Sequence, residues 1–192
     1  MDSERNAVVE EPALSNLHPV LECLLFVASE PVTPRQVGEA LELDEVTATR
    51  ALEHFRHHYV NGGGLQVVRI AGGYQLRTRP EFAGAIATFL RPAAQKLSRQ
   101  ALETLAIIAY EQPITQPEID ALRGVSSDGV LKTLMEKELI REAGRKDAPG
   151  RPFLYRTTDG FLKHFGLADL TELPKLEESL GAAVPEKRDL QV

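Results

Sequence analysis

The sequence predicts an α+β, mainly helical chain built from tandem winged helix-turn-helix domains, each with three short helices followed by a β-hairpin. Three observations predict it. The run Leu21-Glu22-Cys23-Leu24 is answered by Leu102-Glu103-Thr104-Leu105, and Val27-Ala28 by Ile108-Ala109 at the same offset. Each copy continues with a helix-start signal, Thr33-Pro34-Arg35-Gln36 or Thr115-Gln116-Pro117-Glu118. Each copy then ends on apolar and β-branched runs interrupted by glycine.

The first helix of each copy has apolar residues at i, i+3, i+6 and i+7: Leu21, Leu24, Val27 and Ala28, then Leu102, Leu105, Ile108 and Ala109. That stripe is expected to face a core, and Cys23 within it is expected to be a buried, reduced thiol. The second helices start at the two threonines, where Gln or Glu three residues on completes a capping box and a first-turn proline has no amide to leave unpaired. Third helices are expected after Asp44 and Ser126, whose side chains can accept from free amides. A hairpin is expected from Leu65–Ile70 and Tyr74–Thr78 around the turn Gly72-Gly73. In the second copy Leu139–Gly144 and Pro152–Thr157 are expected to pair across a longer loop. Phe82–Leu90 is expected to close the first domain as a helix, and a further helix is expected to start after Ser98. Thr158 is expected to cap a last helix that ends at Gly166, with Phe161, Leu162 and Phe165 covering one face of the returning strand.

These signals divide the 192 residues into a polar tail (1–15), a first winged-helix domain (16–92), a linker (93–97), a second winged-helix domain (98–170) and a flexible tail (171–192). Leu173, Leu176 and Leu180 are assigned to that solvated tail. With one cysteine no intramolecular disulfide can form, which fits a reducing cytosol, and the most apolar run is too short to span a membrane. The chain is expected to be soluble and not exported.

Charge and motif spacing narrow the function further. A formal charge of -6 argues against tight non-specific DNA binding by the whole chain. The pair His54 and His58 has i, i+4 metal-ligand spacing but no evident third ligand, so it is assigned to a solvated helix face. Ser126-Ser127-Asp128 stands at a helix start, where capping outweighs nucleophilic chemistry. Asn61-Gly62-Gly63-Gly64 lacks the Lys-Ser/Thr of a phosphate loop. No cofactor, metal or catalytic set is indicated, which leaves binding. The third helix of the second copy offers Lys132 and Lys137 against Asp128, Glu136 and Glu138, a poor match for phosphates. Only Arg145, Lys146 and Arg151 give local positive character, in a loop that Pro149-Gly150 and Pro152 shape. A protein-binding wing suits such a loop better than a DNA contact, and a DNA-reading transcription regulator is the alternative.

The chain resembles segregation and condensation protein B over about residues 16–170. The resemblance is carried by Leu102–Tyr110, by Gln112-Pro113-Ile114-Thr115, and above all by Gly144-Arg145 through Gly150-Arg151-Pro152 to Tyr155-Arg156-Thr157-Thr158. It implies a noncatalytic homodimer formed largely through the first domain. It also implies a ScpA-like kleisin partner bound mainly by the second domain, and through it the SMC ATPase. DNA contact would be mainly indirect or weak, and the location cytoplasmic and nucleoid-associated. A structural or partner-facing role falls on Arg145, Lys146, Gly150, Arg151, Pro152 and Tyr155.

Overall fold

Two separate hydrophobic clusters organise the chain. The computed structural model describes residues 14–59, 63–91 and 97–174. The first cluster draws on Leu14, Leu21, Leu25, Val37, Leu52, Phe55, Val67 and Tyr74; the second on Leu105, Ile108, Ile119, Leu131, Leu134, Ile140, Tyr155 and Phe161. Each is enclosed by helices on one side and a small antiparallel sheet on the other, the winged-helix arrangement.

In the first unit, α1 (His18–Val27) buries Leu21 and Leu25, so its inward stripe runs at i, i+4. That rotation corrects two expectations. Cys23 is exposed, and Val27 stands 75% exposed at the helix end. α2 (Pro34–Leu41) has the predicted capping box: the Thr33 amide donates to Gln36 Oε1 at 2.8 Å, and the Gln36 amide to Thr33 Oγ1 at 3.3 Å. Asp44 caps α3 (Glu45–His58) by accepting from the Thr47 amide at 2.9 Å. Its buried face, Ala48, Ala51, Leu52 and Phe55, repeats at helical spacing.

Strands β1 (Leu65–Ile70) and β2 (Gly73–Thr78) pair in register from Leu65↔Thr78 to Ile70↔Gly73. The turn is therefore Ala71-Gly72, one residue earlier than expected. Both residues have positive φ (47° and 72°), as a tight two-residue hairpin requires, and Gly73 joins the strand. A single turn of 3₁₀ helix (Pro80–Phe82) leads into α4 (Ala83–Leu90). The expected closing helix is present, but none of its residues is buried.

In the second unit Ser98 caps α5 (Arg99–Glu111) by accepting from the Ala101 amide at 3.2 Å. This helix buries Ala101, Leu105, Ile108 and Ala109, whereas Leu102, expected inside, is 45% exposed. The short strand β3 (Ile114–Thr115) precedes α6 (Gln116–Arg123), and α7 (Asp128–Glu136) follows. Ser126 does not cap α7. Ser127 precedes the helix instead, fully buried, with its amide and hydroxyl both donating to Asp120 Oδ1 at 2.7 and 2.5 Å. A hydroxyl so enclosed and committed is not placed to attack a substrate.

The sheet of this unit has the order β3-β5-β4, with β4 (Ile140–Arg145) and β5 (Phe153–Thr157) forming the wing. Thr158 caps α8 (Asp159–Phe165), and Gly166 ends it in the left-handed region. Phe161 is buried as expected, while Phe165 remains 44% exposed.

Packing continues past the limits drawn from the sequence. Leu14 is buried in the first cluster, Leu173 packs on the second, and the Tyr110 hydroxyl donates to the Pro174 carbonyl at 2.6 Å. Most of the expected linker and the leucines at 176 and 180 lie outside the described residues. The two units also touch. The Ala71 and Gly72 amides donate to the Leu167 and Ala168 carbonyls at 3.0 and 2.9 Å, and Lys163 pairs with Glu30 at 2.6 Å.

Candidate functional site: the wing of the second unit

The wing is fixed from three directions. Its central strand β5 pairs with β3 through Ile114↔Tyr155 and Thr115↔Leu154, and with β4 through Ile140↔Thr157, Arg141↔Arg156 and Glu142↔Tyr155. The register then shifts, so that Arg145 faces Phe153. At the base, Gln112 Oε1 accepts from the Thr157 amide and hydroxyl at 2.9 and 3.0 Å, tying the strand to the end of α5. The Thr158 hydroxyl donates to the Glu138 carbonyl and ties the wing to the end of α7.

Main-chain bonds set the loop's path: Lys146 N–H to the Pro152 carbonyl at 2.9 Å, and Arg151 N–H to the Ala148 carbonyl at 2.8 Å. Gly150 has φ 80°, a conformation costing a side chain roughly 1–2 kcal/mol, and Arg151 follows at φ 41°. A non-glycine held there indicates a loop over-determined by its surroundings.

Two of the three basic side chains serve that shape. The Arg145 guanidinium stacks 3.7 Å above the Phe153 ring and donates to the Arg151 carbonyl at 2.8 Å. Lys146 pairs with Glu118, whose other carboxylate oxygen accepts from the Thr115 amide at 2.9 Å and its hydroxyl at 2.7 Å. Lys146 first, then the two Thr115 donors, hold the Glu118 carboxyl down at about 2. One glutamate thus completes the start of α6 and anchors the wing tip.

Of the six positions that the sequence singled out, Gly150 and Pro152 shape the loop, and Arg145 and Lys146 hold it. Tyr155 is a core residue, only 6% exposed. Burial, with Glu142 and Asp128 nearby, pushes its phenol up. Arg151 presents an exposed side chain with neither an ion pair nor a ring stack among the described residues, as do Arg141 and Arg156 on the wing strands. Sequence reasoning missed Glu118 as a wing residue and, although it placed Phe153 in the returning strand, missed its ring as the platform for Arg145. Glu118 was visible as a capping residue, but its reach to Lys146 crosses 28 positions.

Away from the wing, His54 is not merely part of a solvated face. Its Nδ1 lies 2.8 Å from His18 Nε2, and its ring stacks on His58 at 4.1 Å between centroids. Burial, then His54 and His58, lowers the His18 pKa. Among the described residues no group of three side chains is arranged to hold a metal, and no helix is long and apolar enough to cross a membrane.

Residues 19–176 match the family described as segregation and condensation complex subunit ScpB. The chain belongs to this family. Segregation and condensation protein B of Moorella thermoacetica is 51% identical over 168 residues, covering 85% of this chain and 84% of that one. Among solved structures, ScpB from Mycobacterium tuberculosis is 34% identical, covering 84% of this chain and 99% of that one, with a TM-score of 0.37. A dimer of the ScpB N-terminal domain complexed with ScpA peptide is 26% identical, covering 40% of this chain and 98% of that one, also with a TM-score of 0.37. Membership in the ScpB family rests on the sequence matches and ties the chain to chromosome segregation and condensation.

Proposed function

We propose that this chain is a noncatalytic homodimeric adaptor of the SMC condensin complex. It dimerises largely through the first domain (16–92) and binds a ScpA-like kleisin mainly through the second (98–170). Through the kleisin it joins the SMC ATPase at the nucleoid in the cytoplasm, in chromosome condensation and segregation during cell division. The observation that carries this reading is the ScpB family match across residues 19–176, which spans both winged-helix units.

The charge of helix α7 supports it. Helix α7 has Asp128 and Glu136 against Lys132, a net charge of -1 where a major-groove reader needs bases facing phosphates. In the wing, Arg145 and Lys146 are already engaged, which leaves Arg151 outward at the loop and the cross-strand partners Arg141 and Arg156 exposed on the strands. The outward Arg151 at the loop tip suits a carboxylate on a protein partner.

A nuclease-treated pull-down of the tagged protein from its own cells tests the reading, with recovery of a kleisin and its ATPase expected. Recovery of one DNA sequence without those proteins would mark a transcription regulator instead. A binding titration with purified kleisin tests the site. Arg151→Glu is expected to weaken binding about 10-fold or more, as for a charge-assisted contact of ~1.5–3 kcal/mol. Unchanged affinity in Arg151→Glu, with binding retained by the first domain alone, would move the kleisin contact off the wing.

A further inference from the structure

An apolar cleft of about 360 Å³ opens between α5 and α8 of the second unit. Leu102, Ala106 and Tyr110 line it along α5, Phe165 closes it at the end of α8, and Leu173 and Pro174 form its wall where the described chain stops. None of its lining residues is charged. Leu102 and Phe165 are both left open to water, which marks the cleft as a docking surface.

The chain is fastened at the edge of this cleft at its last described residue. Leu173 packs on the core beneath, and the Tyr110 hydroxyl donates to the Pro174 carbonyl at 2.6 Å. Residues 175–192 follow. Leu176 is two positions on, so its Cα lies within about 7 Å of that of Pro174 whatever path the chain takes. In Lys175-Leu176-Glu177-Glu178-Ser179-Leu180-Gly181 the two leucines stand at i and i+4, on one face of a helical turn, with Glu178 on the opposite side and Gly181 as a stop. The approach suits a helix start: Leu173 is extended (φ -63°, ψ 133°), as the residue before a proline prefers, and proline is favoured at the first helical position.

We propose that residues 175–181 fold back as a helical turn over this cleft, with Leu176 and Leu180 seated on Leu102, Ala106 and Phe165. The chain's own tail is then the occupant. A segment tethered this closely acts at an effective concentration on the order of millimolar, which a free partner must overcome to enter. The chemistry agrees, since an uncharged lining takes the two leucines and leaves Glu178 to water. Any partner helix that uses this face must first displace the tail.

Hydrogen exchange of the full chain, of a chain ending at Pro174 and of the full-length double variant Leu176→Glu/Leu180→Glu tests this. The amides of Phe165, Gly166 and Leu167 are expected to exchange about 10-fold or more faster in both altered chains, as for the loss of one well-buried leucine. Unchanged protection of β5 shows that the second unit still folds. Glu177→Gln/Glu178→Gln is expected to leave all of these rates as they are. In the wild-type chain, NMR is expected to show nuclear Overhauser contacts from the Leu176 and Leu180 methyls to the Phe165 ring. Unchanged exchange in both altered chains, without those contacts, would overturn the proposal. Contacts seen only between labelled and unlabelled copies would also overturn it, and would give the cleft to the tail of a second chain.

Discussion

The two winged-helix units close the same turn by opposite means. Between α2 and α3 of the first unit, Glu42 takes the left-handed conformation and the Leu43 amide donates to the Gly38 carbonyl at 2.9 Å. The chain passes so close that a Cβ on Gly38 would lie 2.7 Å from the Leu43 carbonyl oxygen. Between α6 and α7 of the second unit, Gly124 takes the left-handed position and Asp120 reaches across to the buried Ser127. One unit tightens its corner by having no side chain, the other by tying a buried serine to a half-buried aspartate. The same topology therefore places its sensitive positions differently, and the repeat is one of shape rather than chemistry.

The strongest way to test that separation is to damage one core at a time. Leu52 and Leu134 are fully buried in different clusters, so Leu52→Ala or Leu134→Ala is expected to cost about 2–5 kcal/mol. Hydrogen exchange should show lost protection confined to the mutated unit. Loss across both would mean that the contacts between them make one cooperative body.

The corners themselves come next. Asp120→Ala leaves two buried donors of Ser127 without an acceptor, at about 1–3 kcal/mol, while Gly38→Ala forces the Leu43 carbonyl aside at a similar ~1–3 kcal/mol. Urea denaturation of each variant checks both. A neutral Gly38→Ala would show that the corner yields, and that the contrast between the two turns is smaller than drawn.

The capping boxes sharpen the comparison through pH. The Glu118 carboxyl, depressed from 4.5 to about 2, contributes stability that is fully present above pH ~4.5 and is lost as pH falls toward 2. Gln36 holds the same place in the first unit and does not titrate. Amide exchange near Thr115 and Lys146, corrected for its intrinsic pH dependence, should therefore rise over that window while Thr33 is unaffected. Glu118→Gln should abolish the difference.

The smallest effect belongs to the stacked guanidinium. Arg145→Lys keeps the charge but not the planar stack on Phe153, and a loss of about 0.5–1 kcal/mol is expected in thermal melts.

What could be read from the sequence was local. Thr33 with Gln36, Asp44, Ser98 and Thr158 each declare a helix start within three residues, and each caps as expected. The Gly72-Gly73 signal located the hairpin but not which residues form its turn, because pairing of Ile70 with Gly73 sets that. Cys23 and Val27 were misplaced because an apolar run does not state which of its faces meets the core; Leu14 and Leu25 decide it. At the wing, the loop motif marked the right segment. Its internal use of Arg145 and Lys146 depended on Phe153 across the hairpin and Glu118 on another helix. His18 beside His54 was hidden for the same reason, 36 positions apart.

The seam between the units is written mostly in main chain. Ala71 and Gly72 donate backbone amides to the backbone carbonyls of Leu167 and Ala168, while side chains add the Lys163–Glu30 pair and the charge of Arg69 near Asp169. Amides and carbonyls are common to every residue except for the amide of proline. Descendants of this sequence can thus change the lettering at Ala71, Gly72, Leu167 and Ala168 while keeping these main-chain bonds, and comparison of the side chains at those four positions would not reveal what they join.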